Sequence, residues 1–217
     1  MSNITSSRHR HQRMVLATFV TSLALVFAFA APSQAAQNDE LAKGGFTVTA
    51  EDERQLSLIG QATDIEDGML SFDYAEALEL GASQAFADDY ALGVVVGGQS
   101  VLNGPSSLQE RAAEAEPLMM AAAACLGSTY VGTYWWGQQL ALNSCQTNLL
   151  VNAMWTGVGI AMIAGLISSW TGYGGALGAV AAAVLTVGAG AIGMCNMYGR
   201  GVYLNHLWTG QPFCWGQ

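Results

Sequence analysis

The sequence predicts a mainly α fold. Its centre is a glycine- and alanine-rich apolar helical hairpin with disulfides, preceded by a marginally folded acidic α+β segment. Three observations carry this expectation. Residues 149–170 and 176–194 form two nearly continuous apolar runs that contain no charged residue. The four cysteines, at 125, 145, 195 and 214, flank those runs. All sixteen acids lie between Asp39 and Glu116, whereas residues 118–217 carry one charged side chain, Arg200.

The chain has 217 residues, enough for one domain plus removable segments. Only 11% of its residues are charged, against about 25% in an ordinary soluble domain. Hydrophobic residues make up 52%, and the mean hydropathy is +0.31. A net charge of −9 with seven Lys and Arg excludes a nucleic-acid partner, because so few cations cannot neutralise a phosphate backbone. The charge is sharply partitioned: +3 over residues 1–36, −13 over 37–117 and +1 over 118–217. Three segments follow: a secretory signal peptide (1–35), an acidic segment read as a propeptide (36–117) and an apolar disulfide-bonded module (118–217).

In the first segment, Arg8, Arg10 and Arg13 precede the apolar run 14–30 and Pro32. Ser33 and Ala35 place small side chains for cleavage after Ala35, with cleavage after Ala36 next. An uncleaved anchor is the competing reading, since seventeen apolar residues nearly span a bilayer. No cysteine follows this run and no Arg-Arg pair occurs, so general secretion is expected. The product is then secreted or membrane-associated.

The acidic segment reads as short elements. Phe46–Thr49 alternates like a strand, and a helix begins at Ala50 with acids in its first turn. Ala75–Leu80 suits a helical turn or two, and Ala91–Val96 reads as a short strand closed by Gly97-Gly98. Ser107 with Glu110 makes a capping box, and Pro117 ends the helix that follows. Asp64, Glu66, Asp67 and Asp73 lack the alternating ligands of an EF-hand, so they read as a solvated acidic face and not a calcium site.

Each apolar run of the last module is long enough to cross a bilayer as a helix. The polar break 171–175 between them fits a turn. Glycines such as Gly157, Gly165, Gly188 and Gly193 are costly in an exposed helix but let helices approach closely in lipid. Trp135 and Trp136 sit at the base of this hairpin and Trp170 and Tyr173 at its tip, like two interfacial belts. The expected partners are a lipid membrane and further copies of the chain. The same helices also suit the buried centre of a small bundle, and sequence leaves both arrangements open. An antiparallel hairpin brings Cys145 and Cys195 to one end, which predicts that pair and leaves Cys125 with Cys214. His206 is the one histidine beyond the signal segment, and no Cys-x-x-Cys occurs. No catalytic, cofactor-binding or metal-binding residue is therefore expected, and the chain does not read as an enzyme.

Trp136-Gly137, the stretch Leu140–Cys145, the Gly/Ala-rich apolar pair, Cys195-Asn196 and Gly199–Tyr203 together resemble small secreted bacteriocin-like hydrophobic proteins of Gram-positive bacteria. The resemblance covers roughly residues 130–217. It implies a membrane-active product released from a longer precursor, here by proteolysis between about Glu116 and Tyr130. The long acidic middle and the scarcity of cations depart from that pattern. The leading expectation is a bacteriocin-like precursor whose hairpin inserts into and permeabilises membranes. The alternative is a membrane-resident or cell-surface structural protein with a permanent two-helix hairpin. An exported module for a small apolar ligand is the third.

Overall fold

The computed structural model describes residues 48–115, 125–172 and 177–217. The signal segment, the stretch 116–124 of the expected processing region and Tyr173 lie outside them. Two α/β halves result, each with its own sheet.

In the acidic half, a capping box opens helix α1 (Ala50–Gln61): the Thr49 hydroxyl accepts from Asp52 N at 3.2 Å, and Asp52 Oδ2 accepts from Thr49 N at 2.9 Å. Strands β1 (Thr63–Glu66) and β2 (Met69–Asp73) form a hairpin through Asp67-Gly68, whose φ angles of 53° and 77° are those of a tight Asp-Gly turn. Asp73 caps α2 (Tyr74–Glu79), and Ser83 caps α3 (Gln84–Val96). Strand β3 (Ser100–Leu102) joins β2 in parallel, giving the order β1-β2-β3, and α4 (Leu108–Ala115) follows.

The second half is a four-stranded antiparallel sheet covered on one face by helices. Strands β4 (Tyr130–Tyr134) and β5 (Gly137–Leu142) lead into α5 (Ser144–Trp155), α6 (Ile160–Thr171), α7 (Leu177–Val187) and α8 (Ala189–Cys195). The chain then returns to the sheet as β6 (Val202–Leu207) and β7 (Pro212–Gly216), in the order β4-β5-β6-β7. Leu140, Leu142, Val202 and Leu204 point to the helices and are buried with Leu150, Met154, Ile163, Ile167 and Val184.

The fold is therefore mixed α/β, and the expected mainly α membrane hairpin is not formed. Among the described residues no helix is long and apolar enough to cross a membrane. Glycine is the reason. The first apolar run breaks at Gly157 (φ 75°) and the second at Gly188 (φ 78°), a left-handed backbone that no helix continues through. Four helices of 12, 12, 11 and 7 residues replace two. Twelve residues reach about 18 Å, against the roughly 30 Å of a bilayer's hydrocarbon.

Two further corrections follow. Ala91–Val96 is the end of α3 and not a strand: Ala87, Tyr90, Ala91 and Val94 are all buried and repeat at helical spacing. The acidic segment is not marginally folded, because Leu56, Ile59, Phe72 and Tyr90 sit in a closed core that also includes Ala161, Ala164 and Ala181 of the second half. All four cysteines are in disulfides, but the expected Cys145–Cys195 and Cys125–Cys214 pairs are replaced by Cys125–Cys145 and Cys195–Cys214, with Cα separations of 5.2 and 6.0 Å. With the hairpin gone, Cys145 at the start of α5 meets the chain just before β4. Cys195, at the end of α8, meets β7.

Candidate functional site: an uncharged aromatic sheet end

Both hairpin turns of the second sheet fall at the same end. Tyr134 pairs with Gly137, so Trp135-Trp136 is a two-residue turn. His206 pairs with Pro212 across the β6–β7 turn, where Gly210 takes a φ of 86° and donates to Leu207 O at 2.8 Å. Two hydrogen bonds tie the turns together: Trp208 N donates to Trp136 O and Trp208 Nε1 to Tyr134 O, each at 3.2 Å. The Tyr134 and Trp136 rings stack in parallel with centroids 5.0 Å apart. Gly132 makes room for this, since a Cβ there would lie 2.7 Å from Cε2 of the Tyr134 ring. Trp135 is left 90% exposed, Trp208 57% and Tyr134 40%.

The aromatic surface continues down the outer face of the sheet. Tyr130, Tyr203 and Trp215 occupy one row, with ring centroids 6.3 and 6.4 Å apart, and Phe213 packs on Trp215 at 5.1 Å. In the next row Gln139 Nε2 donates to Asn205 Oδ1 at 2.8 Å, and the Tyr130 hydroxyl donates to Gln139 Oε1 at 2.8 Å. Burial pushes the Tyr130 hydroxyl up to about 12, and nearby Tyr134 and Tyr203 add to the rise, so it stays protonated as a donor. The amides thus form a satisfied polar floor, and the rings present their apolar surface.

Among residues 125–217 no charged side chain lies at this end. The one charged side chain of residues 125–217, Arg200, precedes β6 at the opposite end of the sheet, where the Cys125–Cys145 disulfide also lies. There Gln217 Nε2 donates to Ser128 O and Leu142 O, each at 2.9 Å, while its Oε1 accepts from Ser128 N at 2.7 Å.

Of the expected interfacial residues, the structure brings Trp135 and Trp136 together at the sheet end. Trp170 lies elsewhere, half-buried at the end of α6 against two core clusters. Tyr173 is outside the described residues. Sequence reasoning missed Trp208. Its signal was the Trp208-Thr209-Gly210 stretch, a turn following an alternating segment.

Elsewhere, His206 faces Gln138 across β5 and β6, and His206 Nδ1 and Gln138 Oε1 are buried without partners. A cleft of about 890 Å³ lies over the outer face of the first sheet, lined by Asp64, Glu66, Met69, Ser100 and Leu102 among others. Among the described residues no group of three or more His, Cys, Asp or Glu is placed to hold a metal ion. No family model, no curated protein and no solved structure matches the chain.

Proposed function

We propose that the chain is an exported, bacteriocin-like protein that acts on membranes as a folded unit, by docking the uncharged aromatic end of its second sheet at the lipid surface. The exposed Trp135 and Trp208, beside the Tyr134–Trp136 stack, carry this reading. Tryptophan and tyrosine favour the headgroup region, where an apolar ring body and a polar N–H or O–H are both accommodated. The Arg-containing, apolar N-terminal segment and two disulfides support an exported, oxidised product. Inserting a helical hairpin is no part of this reading, since the described helices are too short.

A surface without cations binds by burial of apolar area and not by attraction to anionic lipid. The acidic half, with thirteen acids and two arginines over residues 48–115, is repelled by anionic headgroups. Phosphatidylcholine vesicles should therefore capture the protein at least as well as vesicles containing phosphatidylglycerol. On binding, tryptophan emission should shift to the blue, with little change between low and high salt. Trp135→Ala combined with Trp208→Ala should lower partitioning roughly 10- to 100-fold, the loss expected for two interfacial rings. Wild-type protein that floats with vesicles no better than this double variant refutes the reading. Dye release from the same vesicles separates docking from permeabilisation.

A further inference from the structure

The contact between the two halves is built to a closeness that a removable segment does not need. Helix α3 of the acidic half crosses α6 of the second half with two glycines at the crossing. A Cβ on Gly93 would lie 2.2 Å from Met162 O and 3.0 Å from Leu166 N. One on Gly165 would lie 2.4 Å from Tyr90 O and 3.0 Å from Val94 N. Backbone thus rests directly on backbone, from both sides. Around the crossing, the Tyr90 hydroxyl donates to Ser168 Oγ at 2.9 Å, and Ser168 Oγ donates to Ala164 O at 2.8 Å. Gln99 Nε2 donates to Ser169 O at 3.1 Å. At the other end of α6, Gly159 supplies no side-chain cap, and Asp89 Oδ2 lies 3.1 Å from where its Cβ would be, so a carboxylate of the acidic half faces the helix N-terminus.

The acidic half does not close its core alone, and the second half, which has one core of its own, shares two further clusters with it. Ala161, Ala164 and Ala181 are buried among Leu56, Ile59, Phe72 and Tyr90, and Val96 and Ala112 are buried among Leu149, Ala153, Met162 and Leu166. Both disulfides lie within residues 125–217, so no described disulfide joins the halves. The acidic half carries a charge of −11 over residues 48–115, and residues 125–217 carry +1. The interface between them is therefore packed backbone and apolar side chains with a few neutral hydrogen bonds, and among the described residues no ion pair crosses it: Arg111–Asp89, at 3.6 Å, lies within the acidic half.

From this we infer that the acidic half is a permanent partner of the second half. Cutting the chain between residues 115 and 125 leaves a non-covalent two-piece particle and releases no free C-terminal product. The α6 face that carries Gly165 is an interaction surface whose occupant is α3 of the same chain, and the acidic half supplies the solubility that the nearly neutral half lacks. This goes beyond the membrane-docking reading and does not depend on it, because its readout involves no lipid.

The test uses the full chain with a unique protease site placed within residues 116–124. The protein is folded and oxidised first, then cut, and passed over a sizing column at about 1 μM, where a dissociation constant of roughly 0.1 μM or tighter keeps most pieces together. Both pieces should elute together at the size of the uncut protein, at low salt and in 1 M NaCl, and separate only in denaturant. Two separately eluting folded species overturn the inference and restore a removable propeptide. Gly165→Leu should lower the melting temperature of the uncut chain by roughly 5 to 10 °C and let the cut pieces separate. Should that variant fail to fold, Tyr90→Phe serves in its place: it should lower the urea midpoint at which the cut particle dissociates. An unchanged midpoint contradicts the assigned interface.

Discussion

Gly157 and Gly193 sit in the two apolar runs, one in each, yet the fold uses them in opposite ways. Gly157 ends α5 with a φ of 75°, where any Cβ strains the backbone. Gly193 lies inside α8, exposed, with nothing within 4 Å of the place a Cβ would take. Gly157→Ala should therefore cost about 1–3 kcal/mol, the usual cost of a non-glycine residue held at an unfavourable dihedral. Gly193→Ala should instead stabilise by about 0.5–1 kcal/mol, because alanine suits a helix interior better and restricts the unfolded chain. Chemical denaturation of the two variants checks both signs. Equal effects would show that the chain does not break where the backbone angles place the break. No property of the glycines in the sequence separates these two roles. That is why residues 149–170 and 176–194 read as two long helices: glycine spacing is compatible with close helix packing in lipid and with helix termination in water, and only the realised φ decides.

At the scale of elements, much of the fold was legible where local hydrogen bonding sets it. The helix start at Ala50 and the turn or two after Ala75 follow from side-chain caps that the residues advertise. Asp67-Gly68 between alternating segments is a strong hairpin signal, and weighing those acids as a calcium loop obscured it. Val94, Val95 and Val96 suggested a strand by composition, but the buried set at 87, 90, 91 and 94, with Ser83 as cap, settles a helix. The pairing of β5 with β6, sixty residues apart, had no local signal, since it depends on four intervening helices folding back on the sheet. The disulfide pairing failed for the same reason. Each observed bond closes a short span, with sequence separations of 20 and 19, for which the chain-entropy model gives about 3 kcal/mol. Replacing Cys195 and Cys214 together by Ser should destabilise the protein by about 2–4 kcal/mol. A non-reduced digest should yield linked peptides 125 with 145 and 195 with 214. Recovery of a peptide linking 145 to 195 would mean that the hairpin, and not this sheet, is the oxidised form.

Across the whole molecule, acidity and disulfides are segregated into different halves that share a core, and this makes the response to pH local. In the acidic half, Glu51 accepts from Arg54 Nε at 2.8 Å and from Gln55 Nε2 at 2.7 Å, which holds its carboxyl near 2. Asp73 is also held below the usual carboxylate range, by the backbone N–H of Glu76 at the start of α2 and by Asn103 Nδ2 at 2.9 Å. Both are groups with depressed folded values. Their contribution is complete above the unfolded carboxylate value of about 4 and is lost as pH falls toward 2. Asp89 has the opposite sign: burial raises its carboxyl despite Arg111, so the folded state takes up its proton first, and stability gains as pH falls through that raised value. The second half has no acid to titrate over residues 125–217, and its two disulfides tie the segment before β4 to α5 and the end of α8 to β7. Stability should therefore hold or rise slightly as pH drops toward about 4 and then decline between about 4 and 2. Amide exchange, corrected for its intrinsic pH dependence, should report the decline first in α1 and α2, with β5 and β6 still protected. Asp89→Asn should remove the rise and leave the later decline in place. Loss of protection beginning in β5 and β6 contradicts this order, because no titrating carboxylate lies there to drive it.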